Sequence, residues 1–429
     1  MSVDNNSSTE RSRSIPNGWV ETTLGKVCDV QSGGTPSTKN NTFWNGDIGW
    51  ITPKDLSGYK KVFIEEGERS ITHIGLDNSS AKLLPKHTIL FSSRAPIGYV
   101  VISKNKISTN QGFKNLICDE VNSHYIYFYY LLKLKANHIE KLSSGSTFSE
   151  ASASLMKSIE VSIPKDIKEQ KAIAKILTAF DDKIENLQAQ NNTLEITAQT
   201  IFKEWFGKYQ IGADLPDGWR VFGMNELVET INGYSYKGKE LIEESDEALV
   251  TLKSFDRNGG FQTRGFKPFK GNPKPTQEVK IGNLVVAHTD LTQDADVLGN
   301  PAFIFDNGGF KKMYITMDLV KVISIHKDIS SSFLYYLMKD RAFKGHCVGY
   351  SNGTTVLHLS KKAIPEYQVF LPIDLIKVKE FSEIANATTN KISLNKDELK
   401  YLKQTRDTLL PKLMSGQLQV KDFKEPTPC

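Results

Sequence analysis

The chain contains one short phrase twice, IPNGWV at residues 15–20 and LPDGWR at residues 215–220. The tryptophans of the two copies are 200 positions apart, and at that same offset a turn follows each, QSGG at residues 31–34 and INGY at residues 231–234. Self-similarity at a fixed offset is the signature of an internal repeat. The phrase therefore predicts a duplicated chain.

A second pair of similar segments closes each half. GSTFSEASASLMKSIEVSIP at residues 145–164 and GTTVLHLSKKAIPEYQVFLP at residues 353–372 have equal length, and an insertion of about eight residues in the second half explains their offset of 208. Between the opening and closing segments, each half has a β-rich stretch that leads into an amphipathic helix, but few letters match. The opening and closing segments are therefore duplicated, whereas the sequence between them has diverged.

Composition limits the class of protein. With 429 residues, 39% of them apolar and 24% charged, the chain predicts a globular protein of two or more domains. It has no apolar run of the roughly 20 residues that a membrane span needs, and its polar first 14 residues lack the apolar core of a secretory signal. We therefore expect a cytoplasmic protein that is not bound to a membrane. The four cysteines lack metal-ligand spacing, and the net charge of +5 permits a polyanionic partner without requiring one.

Each closing segment is followed by a heptad pattern. From Ile173 to Trp205 the seam residues step alternately by four and three, and Asn191 is the only polar member of this seam. The same frame shifted by 208 positions gives a weaker seam from Phe381 to Leu413. A helix of roughly 36 residues is about 54 Å long, so the pattern predicts two spacer helices.

The seams also predict how the two helices pair. If they lie antiparallel about a twofold axis through their middles, Asn191 faces Asn395. The other predicted partners are Ile184 with Leu402, Leu187 with Leu399, Leu194 with Ile392 and Trp205 with Phe381. A buried asparagine pair fixes register at a cost in stability, whereas the alternative is that both asparagines are solvated. Pro411 predicts a kink or restart near the end of the second helix.

Catalytic motifs are weak. GYSYKGKE at residues 233–240 resembles a phosphate-binding loop but has Glu240 where Ser or Thr would hold magnesium, so a simple turn is the favoured interpretation. PKDIKEQK loosely resembles a nuclease motif, but Asp166 stands where a helix N-terminus needs a cap. His288 and Asp290 have no nucleophile beside them. The pattern indicates a binding protein.

Several longer motifs resemble one family. They are the paired Pro-x-Gly-Trp phrases, SSRAPIGYVVIS at residues 92–103, ISTNQGFKNL at residues 107–116, EQKAIAKILTAFDDKIENLQAQN at residues 169–191 and LLPKLMSGQL at residues 409–418. Together they resemble the specificity subunits of type I restriction-modification enzymes, over nearly the whole chain from Ile15 to about Val420.

The resemblance implies an α+β fold with an internal duplication, in which two α/β target-recognition domains are separated by two long antiparallel coiled-coil helices. The corresponding ranges are an N-terminal tail at 1–14, recognition domain 1 at 15–165, a central spacer helix at 166–208, recognition domain 2 at 209–373, a C-terminal spacer helix at 374–418 and a tail at 419–429. It further implies a non-catalytic subunit that binds double-stranded DNA, two adenine-N6 methyltransferase subunits and restriction/translocase subunits. No cofactor is expected in this chain, because S-adenosylmethionine, ATP and magnesium belong to the partner subunits.

The architecture suits a split DNA target. Two readers on a rigid spacer can contact half-sites that recur on one side of the duplex about every 34–36 Å. The opening and closing segments of the two halves are alike, but the sequences between them have diverged. We therefore expect the two domains to recognise two unlike half-sites.

Residues that can contact bases or phosphates are concentrated in the expected loops, since bases are read by Arg, Lys, Asn or Gln and phosphates by cations, small hydroxyls and backbone N–H groups. In the first domain the candidates are Gln31, Ser32, Gly33, Thr35, Lys39, Lys54, Asp55, Ser93, Arg94, Asn110 and Gln111. In the second domain they are Tyr234, Ser235, Tyr236, Lys237, Lys253, Ser254, Arg257, Arg264, Lys267, Lys270, His288 and Thr289. Asn110 and Gln111 could instead stabilise a turn, and the second half has Thr316-Met317-Asp318 in place of that motif.

Two other functional classes remain open from the sequence. A self-contained DNA methyltransferase or nuclease would be active as a single chain with a methyl donor or magnesium. A coiled-coil adaptor without a nucleic-acid role would fail to bind duplex DNA even with methyltransferase partners.

Overall fold

The computed structural model describes residues 15–143, 150–209, 214–255 and 260–422. The chain forms two compact units. Unit 1 comprises residues 1–186 and 399–429, and unit 2 comprises residues 187–398. The division therefore passes through both long helices, so each unit is one recognition domain together with half of each helix. The domain ranges expected from the sequence instead treated the recognition domains and the helices as separate segments.

The strands before the first long helix are β1 (Trp19–Thr23), β2 (Cys28–Ser32), β3 (Trp44–Ile51), β4 (Phe63–Ile64), β5 (Arg69–Ile71), β6 (Ile89–Ser92), β7 (Val100–Ser103), β8 (Ser108–Thr109), β9 (Phe113–Cys118) and β10 (Glu160–Pro164). The helices are α1 (Leu24–Val27), α2 (His73–Asp77), α3 (Tyr125–Ser143), α4 (Ala153–Ser158) and the long α5 (Ile167–Phe206).

Unit 1 is built on two main sheets. One has the order β2-β9-β6-β7-β4 and the other the order β5-β3-β8, in which β3 and β8 run parallel. The central β6 is the apolar run Ile-Leu-Phe followed by Ser92, and all four residues are buried. Such a run is typical of a strand covered on both faces.

The strands that follow are β11 (Trp219–Gly223), β12 (Val228–Asn232), β13 (Glu247–Val250), β14 (Phe266–Pro268), β15 (Glu278–Val279), β16 (Leu284–Ala287), β17 (Thr289–Asp290), β18 (Pro301–Phe303), β19 (Lys312–Ile315), β20 (Leu319–Ser324), β21 (Ser351–Asn352), β22 (Leu357–Leu359) and β23 (Gln368–Pro372). The helices are α6 (Ser331–Met338), α7 (Arg341–Gly349), α8 (Ala363–Glu366) and the long α9 (Ile376–Met414).

Unit 2 repeats the sheet topology of unit 1. The order β12-β20-β16-β18 matches β2-β9-β6-β7, and β14-β13-β19 matches β5-β3-β8, again with its second pair parallel. The duplication therefore extends through the middles of the two halves, where few residues match. Buried strands need only apolar side chains of suitable shape, so topology survives where sequence identity does not.

The paired phrases that open and close each half are joined in the fold. β1 pairs antiparallel with β10, with Trp19 opposite Pro164, and β11 pairs with β23, with Trp219 opposite Pro372. Each tryptophan phrase thus begins a two-stranded sheet that the closing segment of the same half completes. The opening and closing segments of each half therefore form one structural element.

The two long helices occupy the predicted ranges to within a few residues. Asp166 caps α5, since its Oδ1 accepts a hydrogen bond from the backbone N–H of Lys168 at 2.8 Å. A restart at Pro411 is wrong, because α9 continues through it to Met414, whereas a kink there stays a prediction. Leu413 and Met414 are buried in the core of unit 1, and that packing holds the last turn in helical form.

The predicted asparagine pair is present in unit 2, where α5 and α9 run antiparallel. Nδ2 of Asn395 donates to Oδ1 of Asn191 at 2.8 Å, and Asn395 is buried. In the same unit the ring of Trp205 lies 6.2 Å from that of Phe381, as the seam predicts. The alternative that both asparagines are solvated is therefore wrong. That the pair fixes the register remains a prediction.

Replacing Asn191 and Asn395 together with leucine tests that prediction. Oδ1 of Asn395 is buried without a hydrogen-bond partner, so removing both amides should leave the free energy of unfolding unchanged or raise it by about 1–2 kcal/mol. We expect the cost to appear as a loss of register, measured as a second helix pairing by cysteine cross-linking along the seam. A single pairing in the double variant would show that apolar packing alone sets the register.

No helix in the described part of the chain is long and apolar enough to cross a membrane.

Candidate nucleic-acid interface

Four loops of unit 1 that carry candidate residues converge beside the ends of β2, β3, β6 and β8. We call residues 33–39, 52–55, 93–94 and 110–112 loop cluster 1. The backbone N–H of Gly34 donates to the carbonyl of Thr109 at 2.9 Å, and that of Asn110 donates to Ile51 at 2.9 Å. The N–H of Ser93 donates to Gly112 at 2.7 Å. Backbone hydrogen bonds therefore tie these four loops into one surface.

Gly33 is required for this convergence because of space. A Cβ on Gly33 would lie 2.1 Å from the carbonyl oxygen of Asn110 and 2.6 Å from that of Thr109. The glycine therefore lets the first loop lie directly on the turn after β8.

Two candidates in loop cluster 1 have structural roles that occupy their side chains. Ser93 is buried, and its Oγ lies 3.3 Å from Nζ of Lys114. Asp55 closes the turn after β3, since Oδ2 accepts from the N–H of Thr52 at 2.7 Å and Oδ1 from that of Glu68 at 2.7 Å. Burial corrects the assignment of Ser93 as a side-chain contact. Asp55 is half-buried, and its contact with DNA stays a prediction.

The other polar candidates are partly committed. Oδ1 of Asn110 accepts from the N–H of Gly112 at 2.9 Å, which supports its alternative role as a turn former. Gln111 is exposed and accepts a hydrogen bond from Oγ1 of Thr35. Gln31 bonds its neighbour Asp29 on the surface. Ser32 is half-buried at the end of β2, and Lys39 is exposed.

The cations of loop cluster 1 are accessible. Lys54 forms an ion pair with Glu68 at 2.8 Å in which both side chains are mostly exposed, so the pair is weak and easily exchanged for a phosphate. Arg94 pairs through Nε with Oε2 of Glu150 at 3.0 Å and is half exposed. Glu150 also accepts from the buried Lys114 at 2.9 Å.

Unit 2 brings together the equivalent loops, residues 233–237, 251–254, 288–289 and 316–318, which we call loop cluster 2. The N–H of Tyr234 donates to Ile315 at 2.7 Å, that of Thr316 to Val250 at 3.0 Å and that of His288 to Asp318 at 2.7 Å. Thr316-Met317-Asp318 therefore occupies the place of Asn110-Gln111-Gly112, as the sequence comparison of the two halves predicts.

The equivalence places two candidate lysines at one position. Lys54 follows Ile51-Thr52-Pro53, and Lys253 follows Val250-Thr251-Leu252, each in a single 3₁₀ turn after the strand that pairs in parallel. Both lysines are exposed. A cation at the same site of each unit suits a contact common to both half-sites, as a phosphate contact would be.

Aromatic and basic residues share the first loop of cluster 2. Oε1 of Glu240 accepts from the hydroxyl of Tyr234 at 2.6 Å. Nζ of Lys267 lies 5.7 Å from the ring centre of Tyr236, a cation–π geometry. The exposed residues here are Ser235, Lys237, Arg264 and Lys270. The turn that contains Arg264 packs on the 251–254 turn, because Oγ1 of Thr251 donates to the carbonyl of Gly265 at 2.7 Å. The predicted basic run therefore adjoins loop cluster 2.

The remaining four candidates of unit 2 are Ser254, Arg257, His288 and Thr289. Ser254 is fully buried, and Thr289 is buried with its Oγ1 bonded to Asp318 at 3.1 Å, so we correct their assignment as side-chain contacts. Arg257 lies outside the described residues. His288 is half-buried, and its burial, His358 and Lys361 lower its pKa.

Sequence reasoning missed three residues at these sites: Lys114, Glu150 and His358. Glu150 and His358 lie in the closing segments of their halves, and Lys114 lies inside a buried strand. The available signal was a lysine within β9, whose first four residues are buried, because a buried cation needs an anionic partner.

The enzyme-like motifs have structural roles. Oε2 of Glu240 accepts from the N–H of Lys237 at 2.5 Å, which closes the turn that resembled a phosphate loop. Asp290 does not pair with His288 but accepts from the N–H groups of Thr292 and Val297. Among the described residues, no cluster of His, Cys, Asp and Glu could hold a metal ion.

The comparisons agree with this architecture. Residues 16–196, which include the recognition domain of unit 1, match the type I restriction modification DNA specificity domain. The type I restriction enzyme MjaIX specificity subunit of Methanocaldococcus jannaschii is 31% identical over 95% of both chains. The MjaVIII specificity subunit of the same organism is 24% identical over 75% of both. The chain belongs to the family of type I restriction enzyme specificity subunits.

The fold itself has a solved counterpart. The crystal structure of the type I restriction-modification system S subunit from M. genitalium covers 96% of this chain and 98% of its own, with a TM-score of 0.58 and 19% identity. The fold class expected from the sequence, two α/β domains with two long coiled-coil helices, is confirmed.

Proposed function

We propose that this chain is the sequence-specific DNA-binding subunit of a type I restriction-modification complex and recognises an asymmetric, bipartite target with one half-site per unit. The observation that carries the proposal is the pair of loop clusters. The same four loops converge on the same topology in both units, yet their side chains differ at nearly every exposed position. Two units with the same backbone topology but different exposed loop side chains are suited to two unlike half-sites.

Each loop cluster has the chemistry that duplex DNA requires. Cations at Lys54 and Lys253 suit phosphates, while Arg94 and Gln111 in unit 1 can form the paired hydrogen bonds that distinguish bases. In unit 2 the Tyr236–Lys267 pair and its basic neighbours supply aromatic and cationic contacts.

Catalysis is proposed to belong to other chains. The subunit would direct two adenine-N6 methyltransferase subunits and the restriction/translocase subunits to the target, with S-adenosylmethionine, ATP and magnesium bound by those partners. The expected site of action is the cytoplasm. Family membership and the relatives' description as specificity subunits support this division of labour.

Co-expression with the methyltransferase subunit, followed by single-molecule mapping of methyladenine across the host genome, tests the proposal. We expect methylation at one motif made of two unlike short halves around a gap of fixed length. A contiguous motif would contradict the bipartite reading. Lack of DNA binding by an assembled complex would favour a coiled-coil adaptor, and methylation by the purified chain alone would favour a self-contained enzyme.

Replacing Arg94 with alanine should weaken specific binding by about 1–3 kcal/mol and relax the preference at one base pair of the first half-site, if Arg94 reads a guanine. The measurement is the binding of the complex to a set of singly substituted duplexes. Arg220 is the matched control, because it is 44% exposed and paired with Glu226 but lies outside both loop clusters. An equal loss for all sequences, with a salt slope shallower by about one, would identify a phosphate contact instead.

A further inference from the structure

The two units share a cross-strand pair of residues beside their loop clusters. In unit 1 the N–H of Ala151 donates to the carbonyl of Ser93 at 2.9 Å, which sets Arg94 opposite Glu150. In unit 2 the N–H of Leu359 donates to His288 at 2.8 Å, which sets Thr289 opposite His358. The pairs Arg94–Glu150 and Thr289–His358 therefore occupy one structural position.

Glu150 is held from two sides. Its Oε1 accepts from Nζ of Lys114 at 2.9 Å and its Oε2 from Nε of Arg94 at 3.0 Å. Burial raises the pKa of Glu150, but the hydrogen bonds and charges of Lys114 and Arg94 outweigh this and lower it overall. The side chain of Lys114 is only 5% exposed, so the carboxylate is anchored from within the domain.

The ion pair with Glu150 holds the guanidinium of Arg94 in position before DNA binds. The contact with Glu150 uses Nε, and the side chain is half exposed, so the two terminal amino groups remain for an external acceptor. An arginine held in place before binding loses less rotamer entropy when it forms paired hydrogen bonds to O6 and N7 of guanine. With two cations on one carboxylate, the cluster also keeps a net positive charge.

The counterpart in unit 2 has different chemistry. Thr289 is buried and bonded to Asp318, whereas His358 is exposed. The N–H of Leu359, the residue after His358, donates to the carbonyl of His288, so the two histidines lie on paired strands. Burial contributes most to the lowered pKa of His288, and the charge of His358 contributes next. An imidazole can donate or accept one hydrogen bond, so it contacts a base edge without the paired geometry of arginine.

We propose that Glu150 and Lys114 are positioning residues that hold Arg94 for recognition of a guanine in the first half-site, and that His358 makes the corresponding base contact in the second. The inference rests on the proposed function and adds to it the residues that set one base pair in each half-site. It assigns to the closing segment of each half a role in reading DNA.

The test is selection of bound duplexes from a randomised pool by the complex of this chain with its methyltransferase subunit. Glu150→Gln and Lys114→Met should each reduce the preference for guanine about tenfold at the base pair affected by R94A, and should leave the second half-site unchanged. Glu65→Gln is the matched control, because Glu65 forms an exposed ion pair with Lys104 in the same unit. The double variant Lys114→Met/Glu150→Gln leaves no unpaired buried charge and should fold while giving the same loss.

In unit 2, His358→Ala should relax one base pair of the second half-site only. His326→Ala, which alters a partly exposed histidine next to Asp328, is its control and should leave both half-sites unchanged. Equal loss for all sequences, or an unchanged preference in E150Q and H358A, would overturn the inference. If the unaltered complex selects no split target, the proposed function itself fails, so the two failures are distinguishable.

Discussion

Replacing Arg406 with methionine should destabilise unit 1 by about 3–5 kcal/mol, because it leaves the buried carboxylate of Asp181 without its cation. Asp181 on α5 is 7% exposed at its side chain, and its Oδ1 accepts from Nη1 of Arg406 on α9. Its Oδ2 accepts from the hydroxyl of Tyr130 on α3 at 2.7 Å. One carboxylate therefore joins both long helices to the recognition domain of unit 1.

The measurement is denaturant unfolding followed by tryptophan fluorescence, to which Trp19, Trp44 and Trp50 contribute from unit 1. Asp407→Asn is the control, since Asp407 also bonds Arg406 but is 62% exposed, and it should cost less than about 0.5 kcal/mol. The double variant Asp181→Asn/Arg406→Met removes both charges and should recover most of the loss. A cost below about 1 kcal/mol for R406M alone would mean that water or another residue compensates Asp181.

Unit 2 uses different residues to join α5 to its recognition domain. Glu195 on α5 accepts from the hydroxyl of Tyr335 at 2.7 Å and from Nζ of Lys339, both from the α6 region. The cation in unit 2 therefore comes from the recognition domain, whereas in unit 1 it comes from α9. R406M should for this reason leave unit 2 unaffected.

Replacing Gly233 with alanine should abolish recognition of the second half-site while the first is still recognised. A Cβ at this position would lie 2.1 Å from the carbonyl oxygen of Thr316 and 2.6 Å from that of Ile315, both of them backbone atoms of the neighbouring turn. The first loop of cluster 2 must therefore move away from the turn after β19. Because several base contacts depend on this surface, we expect specific binding to fall on the order of 100-fold.

The residue that directly follows this loop supplies the control. A Cβ on Gly238 would have no atom within 4 Å, so Gly238→Ala should leave binding unchanged. Gly33→Ala is the mirror experiment, since its Cβ would lie 2.1 Å from the carbonyl oxygen of Asn110, and it should abolish recognition of the first half-site instead. Competition binding with duplexes altered in one half-site at a time measures both effects. If G233A weakens both halves equally, the two loop clusters do not act independently.

The sequence alone predicted the features that depend on repetition and period. The tryptophan phrases and the closing segments predicted the duplication, whereas their pairing with each other, as of Trp19 with Pro164, came from the structure. The heptad seam located both long helices, and its palindromic order anticipated the hydrogen bond between Asn191 and Asn395. These features could be read because a coiled-coil seam is a one-dimensional pattern, in which sequence spacing determines which residues face each other.

The candidate loops were also predicted, but the burial and the hydrogen bonds of each side chain within them were not. Ser93, Ser254 and Thr289 have the composition of surface residues and are buried, because the neighbouring turns pack over them. Asp55 and Glu240 have the charge of site residues, yet both close turns. Burial of a loop residue depends on which other loop lies over it, and no local pattern records that.

The sequence by itself therefore determined the duplication, the two spacer helices and the family, because each is carried by residues close together or at a constant offset. Only the tertiary structure decided which residues share a loop cluster. Glu150 lies 56 positions from Arg94 and 36 from Lys114, yet its carboxylate bonds both. Hydrogen bonds between strands bring such residues together, and their geometry depends on the sheet order of the whole unit rather than on the letters around each residue.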